Sequence, residues 1–500
     1  MNWMDLKGFV GPSNALSAKS IDSQRTVNMY AEMIESGSGK DGQQAYLKSC
    51  PGLVELFTIS AIYDYPIRLI HPCANGGFFV VSETELYLCT ESGGVWSKNL
   101  VNGITGVFTT NTGPVRAATS LVGDEEIVVF VDGRDCYLYL YDAGTDTTFW
   151  ALFASFGYVG VGNASHVKYI DGYFVFNQGG TNQFYVSDYA SFNVDPLSFA
   201  SAEGDPDNIE AIEVINRNLI ILNTTSTEIW YNSGNADFPF ERISGGFFEI
   251  GILAKYSIAK DTENGYFLSK TKSGDSEVIM LSGLNYRRIS THALETKIKT
   301  YANPQNATGY VYKSKGHTFY VLTFDEATWA YDVSTGMWAE RAALVNGEYT
   351  RERIDCYGYI ESMRLQVVGD RSNSKVYVLS DDAYTLNGDV LCRERTSPTI
   401  SAGGALMLNN ALMIECEVGV GLNGTVQGSD PMIMLTWSDD GGKTWSNGRT
   451  KSLGKIGEAR KRIIFERLGS CRQRIYKIRI TDPVPVDLLA AKVSFDVGAA

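Results

Sequence analysis

The chain has 500 residues, a formal charge of −14 and a pI near 4.9. That balance excludes a general nucleic-acid coat or an anionic-membrane binder, since both need a basic surface. The length exceeds what one hydrophobic core usually organises, so two or more domains are expected.

The N-terminus lacks the basic-then-apolar order of a signal peptide, and no apolar run approaches the ~20 residues of a membrane span. Eight cysteines without a C-x-x-C spacing read as free thiols of a reducing compartment, with a few long-range disulfides as the alternative. A soluble protein made in a cytoplasm is expected.

Residues 1–62 are predicted to form an extended segment with a Gly/Ser-rich loop at 36–42. Two short strands, near 25–30 and 44–48, end at the turn Cys50-Pro51-Gly52. A repeat comes next. Residues 172–188 set two apolar runs rich in aromatic and β-branched residues around Gly179-Gly180-Thr181-Asn182, the pattern of a hairpin. The same unit recurs with markers at Thr84, Cys136, Asn182, Thr227, Glu277, Thr328 and Lys375, spaced 45 to 52 residues apart. A four-stranded propeller blade occupies roughly 40–50 residues, and a hairpin cannot bury both its faces alone. The spacing therefore predicts an all-β chain with a β-propeller of six or seven blades over residues 63–395. A short helix is expected at 291–299, where Leu294 and Ile298 stand four apart and Glu295 can pair with Lys299.

From about residue 396 the hairpin spacing breaks, and strands near 411–418, 432–437, 462–466, 474–481 and 486–495 predict a β-sandwich-like domain over 396–500. A circular propeller brings its ends together, so the segment 1–62 is expected to pack on this C-terminal domain as one module.

Ser438, Asp440, Gly442, Thr444 and Trp445 fit the Asp-box S-x-D-x-G-x-T-W. In that turn the carboxylate accepts from the backbone and glycine supplies positive φ, a structural role without chemistry of its own. Gly419, Gly421 and Gly424 match G-x-G-x-x-G by letters, but residues 425–431 cannot start the helix that a pyrophosphate needs. The four histidines are far apart, there is no G-x-S-x-G elbow, and no metal, cofactor or catalytic site is assigned.

Charge is segregated. Residues 443–479 hold twelve Lys and Arg against Glu458 and Glu466, a net of +10, so the rest of the chain carries −24. Alternation in the last of these strands is expected to turn Lys477 and Arg479 outward. Arg460, Lys461, Arg462, Arg472, Arg474, Lys477 and Arg479 thus form a candidate interface, its alternatives being a solvated face, an acidic neighbouring subunit or, less favoured, DNA.

The chain resembles the packaged-DNA stabilisation, or tail-hub, proteins that complete the heads of short-tailed bacteriophages. The likeness rests on QRTVNMY at 24–30 with YLKSCPGL at 46–53, on STEIWY at 226–231 and on RRIST at 287–291. It rests most of all on DDGGKTW at 439–445 through KRIIFERLG at 461–469 to IRITDPV at 478–484. The resemblance implies a non-catalytic virion protein that forms a homo-oligomer, usually a hexamer, beneath the portal and its adaptor ring. It also implies a prolonged DNA channel and surfaces for the tail needle and for tailspikes or fibres. With −24 outside the basic segment, a lumen that is acidic or neutral and duplex DNA that passes without tight binding are expected. The alternative is a sialidase-like propeller glycosidase or carbohydrate-binding propeller, which should show several Asp-boxes at blade spacing. A cellular scaffold propeller would carry a Trp-Asp signature that is missing here.

Overall fold

The computed structural model describes residues 2–15, 22–35, 44–74, 76–101, 106–152, 163–271, 274 and 276–498. Seven four-stranded antiparallel sheets succeed one another along the chain, beginning with Ile67–Pro72, Arg116–Val122, Val167–Ile170, Ile209–Ile215, Gly251–Ile252, Thr308–Ser314 and Ile354–Ile360. They are blades 1 to 7. In blade 5 the first strand is split, and Gly251–Ile252 and Ala259–Lys260 both pair with Asn264–Lys270. Blade 7 takes its outermost strand from the other end of the chain: Gly52–Thr58 runs antiparallel to Lys375–Ser380. This pairing closes the ring.

Second strands such as Glu125–Val131 read as near-continuous apolar runs because a neighbouring blade covers each face. There Val128 and Phe130 pack with Phe79 and Leu86 of blade 1, while Ile127 and Val129 pack with Phe174 and Phe176 of blade 3. Every pair of successive blades has such a seam. The seam between blades 7 and 1 joins Ile360, Val367 and Val376 to Ile67, Phe78 and Val80.

The remaining strands form a sandwich. One sheet contains Met29–Met33, Ala45–Ser49, Asp487–Val497, Met407–Cys416 and Ile463–Glu466. The other contains Ser23–Val27, Arg393–Thr396, Gln473–Ile480, Met432–Ser438 and Arg449–Ser452. Leu47, Leu412, Phe465, Ile433, Tyr476 and Ile478 fill the space between them. The second sheet does not stop at the sandwich. Ser23–Val27 also bridges Met337–Val345, the outermost strand of blade 6, through Val27 and Glu340, so one sheet runs from propeller to sandwich.

The strand expected at 25–30 is two strands in two sheets. They are divided at Asn28, whose φ of 54° turns the corner. Its side chain holds the turn by donating to Ala342 O and Cys392 O and accepting from Ala342 N. The helix is His292–Ile298, capped by Thr291, with Leu294 and Ile298 buried; Glu295 pairs with Arg288 at 2.9 Å. All eight cysteines are free. No helix of the described residues is long and apolar enough to cross a membrane.

Candidate functional site

Where the propeller meets the sandwich, charged side chains of four adjacent strands alternate in sign. Glu340 of blade 6 accepts from Arg25 at 2.7 Å, and Arg25 lies 3.7 Å from Glu394. Glu394 in turn accepts from Arg479 of the sandwich at 2.8 Å and from the Tyr349 hydroxyl at 2.9 Å. The Tyr349 ring is flanked by both guanidiniums, 4.6 Å from Arg25 and 5.5 Å from Arg479. Burial opposes the charge on Glu394, but its cationic neighbours prevail and hold its carboxyl below the usual range. On the opposite face of the same strand, wholly buried Arg395 donates to Phe9 O, Gly8 O and the Thr26 hydroxyl, which ties down the N-terminal residues. Burial pushes its pKa down to about 9.

The Asp-box turn lies between Met432–Ser438 and Arg449–Ser452 of the sandwich. Asp440 accepts from the Lys443 and Thr444 backbone N–H groups at 2.9 and 3.0 Å and from the Thr444 and Ser438 hydroxyls. These bonds hold its carboxyl far below the ordinary carboxylate range. Gly441 and Gly442 both have positive φ. The neighbouring Asp439 takes a two-pronged bond from Arg474, at 2.7 and 2.8 Å.

That bond corrects one candidate interface residue. Arg474 is 1% exposed, flanked by Trp437 and Tyr476 and donating to Leu468 O, so its guanidinium belongs to the sandwich interior. Lys477 and Arg479 do leave the opposite face of that strand but are half-buried, Lys477 with its ammonium 3.6 Å from the centre of the Trp445 ring and Arg479 on Glu394. Lys461 is held by Glu458 at 2.9 Å. Arg460, Arg462 and Arg472 are exposed, as are Arg449 and Lys451 on the strand at the free edge of the sheet.

The propeller carries the opposite charge at one end. Turns joining first to second and third to fourth strands all emerge on one face. In blades 1 to 3 these turns and their margins expose Glu91, Asp124, Glu125, Asp146, Asp188 and Asp195 and contain no Lys or Arg. Blades 2 and 3 lie across the ring from blade 6, where the sandwich attaches.

No group of His, Cys, Asp or Glu suited to a metal ion occurs among the described residues. The glycines at 419–424 precede an irregular loop. Sequence reasoning missed the Glu340–Arg25–Glu394–Arg479 ladder. Its only signal was the alternation Arg393-Glu394-Arg395 inside a strand-like stretch, which reads equally as an exposed edge.

Two family models match the chain in tandem, one described as the β-propeller of bacteriophage P22 Gp10 over residues 18–384 and one as its β-sandwich over 392–496. Similar solved structures include YCF48 from Cyanidioschyzon merolae, at 10% identity and a TM-score of 0.40, covering 65% of this chain and 98% of that one. The Swd1 β-propeller domain of Myceliophteria thermophila is 9% identical with a TM-score of 0.40, covering 65% of this chain and 99% of that one. No curated protein matches the chain.

Proposed function

This chain belongs to the family of bacteriophage P22 Gp10, the tail-hub and DNA-stabilisation protein of short-tailed phages, and from that premise we propose that it works as a non-catalytic hub ring. In this reading copies of the chain, six in the arrangement its resemblance suggests, assemble in the host cytoplasm. They dock beneath the portal and its adaptor ring and prolong the DNA channel. Their outer surfaces receive the tail needle and the tailspikes or fibres. Packaged DNA is retained by closure of the tube by a partner, not by Lys or Arg contacts.

The observation that carries this reading is the distribution of charge. Each copy has an acidic rim on blades 1 to 3 and a basic sandwich edge on the far side of the ring of blades. A surface complementary to a different surface of the same chain makes a head-to-tail contact, and such contacts close into rings when the rotation allows. Opposite charges at each seam also offset the mutual repulsion of subunits that each carry −14. Electron micrographs of the purified protein, alone and with portal complexes, test the proposal. Closed rings that cap the portal are expected, and monomers that leave the portal bare would refute it.

A further inference from the structure

The propeller axis opens, at the end opposite the acidic turns, into a funnel of ≈ 510 Å³. This is within the roughly 300–1,000 Å³ of small-molecule sites. Its wall carries four cations, Arg68, Lys255, Arg351 and Arg371, against two carboxylates, Asp325 and Asp355. Arg351 is bonded to Asp355, and Arg371 lies 3.2 Å from Asp325.

Arg68 and Lys255 are bonded to no carboxylate among the described residues. The Arg68 guanidinium donates to neutral acceptors alone: the carbonyls of Gly113, Thr110, Glu83 and Thr112 and the Thr110 hydroxyl. Lys255 pairs with no carboxylate among the described residues, and its ammonium lies 5.2 Å from the centre of the Tyr256 ring. Asp132 acts on Arg68 electrostatically. Its oxygens are already filled by the Thr110, Arg134 and Asp135 N–H groups and the Thr110 and Tyr137 hydroxyls. Lys255 also acts on Glu210, whose pKa burial raises and Lys255 lowers.

Tyr256 lines this funnel. Its carbonyl accepts from Arg116 at 3.0 Å, and the buried Nε of Arg116 has no hydrogen-bond partner. Two of the four cations of the wall thus make no bond to a carboxylate, beside Tyr256 and the amides of Gln305 and Asn306.

We propose that this funnel binds a small carboxylated polyol, an acidic sugar of the uronic or sialic kind. Arg371 is half-exposed and shares a single bond with Asp325, so its free edge can take a carboxylate, as guanidinium forks do. Lys255 adds charge beside the Tyr256 ring, which is held in place by stacking on His166 at 5.5 Å. Asp325 and Asp355 set the ligand class, because carboxylates in the wall accept from the several hydroxyls of a sugar, whereas inorganic phosphate brings one or two hydroxyls and up to two negative charges on one small group.

The test is a titration of the full-length protein, followed by calorimetry or ligand-observed NMR, with glucuronate, N-acetylneuraminate, glucose and inorganic phosphate as probes. Lys255→Met and Arg371→Gln are run beside the wild type, with Arg364→Gln at the opposite end of the propeller as a control. Their unfolding midpoints report that each variant is folded. Saturable binding of at least one acidic sugar is expected, weakened about tenfold or more in Lys255→Met and Arg371→Gln and unchanged in Arg364→Gln. Equal binding of glucose, tighter binding of phosphate, no binding of either acidic sugar, or full binding by both funnel variants would overturn the proposal.

Discussion

Arg479 of the sandwich donates two hydrogen bonds to Glu394, at 2.8 and 3.1 Å, and Glu394 is wholly buried between it and Arg25. Removing one member of a buried ionic group leaves the others desolvated and unpaired. Glu394→Ala takes the acceptor from Arg479 and the Tyr349 hydroxyl while Arg25 keeps Glu340, and is expected to cost about 1–3 kcal/mol. Urea unfolding of the variant checks this, and a midpoint within error of wild type would show that the ladder contributes nothing.

Gly52 stands at the start of the strand that closes blade 7, where a Cβ would lie 2.4 Å from Ala383 O and 2.5 Å from Thr385 O. Backbone oxygens cannot move aside as a side chain can. Gly52→Ala is therefore expected to destabilise the protein by about 1–3 kcal/mol, the usual scale of overpacking. The loss should fall on the closing strand, so amides of 52–58 and 375–380 should exchange faster than those of blades 2 and 3. Uniform exchange across all blades would contradict the closure role.

How far the sequence reaches depends on whether a signal is local. The blades were legible because alternation, aromatic content and Gly/Asn turns lie within one hairpin, and the repeat length then implies a ring. The closure of blade 7 was not, because Gly52–Thr58 pairs with a strand more than 300 residues away and nothing in either stretch names the other. A Pro-Gly pair read as a turn is in fact the entry to a strand. Arg474 was misplaced for a different reason. Alternation puts it on the same face as Tyr476 and Ile478, but a guanidinium counts as a surface group until Asp439, Trp437 and Tyr476 are seen around it.

His317 of blade 6 is buried between Asp332 of its own blade, at 2.8 Å, and Glu32 of the sandwich sheet, at 3.2 Å. Tyr30 and Phe319 cover its ring, and Lys48 faces Glu32 from the next strand at 3.6 Å. The bond to Asp332 comes first in raising its pKa above the ordinary 6.5, against the cost of burial. A raised pKa means that the imidazolium stabilises the fold fully below about pH 6.5, and that this part is lost as pH rises through the folded-state value. The stability gap between wild type and His317→Gln is thus expected to be larger at pH 6 than at pH 8.5, measured by denaturant titration. A gap independent of pH would mean that His317 is held for its packing alone.

Of the basic residues at the sandwich edge, Arg460 and Arg462 are exposed and Lys461 is half-buried on Glu458. Reversing all three to Glu should leave the fold intact, since none is buried, and should impair ring assembly by setting like charges against the acidic rim of the next copy. Light scattering or size-exclusion chromatography is expected to show smaller species at unchanged circular dichroism. Rings of normal size from the triple variant would remove the proposed seam.

Duplex DNA should pass this protein without being gripped. Neutralising several phosphates releases counterions and gives binding that falls steeply with salt, a grip unsuited to a conduit that must empty quickly. The net +10 of residues 443–479 overstates the charge that DNA could meet, because Arg474 is buried on Asp439, Arg479 is spent on Glu394 and Lys461 on Glu458, while Lys477 lies over Trp445. Eight of the twelve Lys and Arg there remain exposed, with Glu458 and Glu466 among them, on a chain of −14. The isolated protein is therefore expected to have negligible affinity for duplex DNA at ~150 mM salt, where charges more than about 8 Å apart are screened. A gel-shift titration decides it. Micromolar or tighter binding that weakens steeply with added salt would assign the basic edge to DNA and leave the seams between subunits without their positive partner.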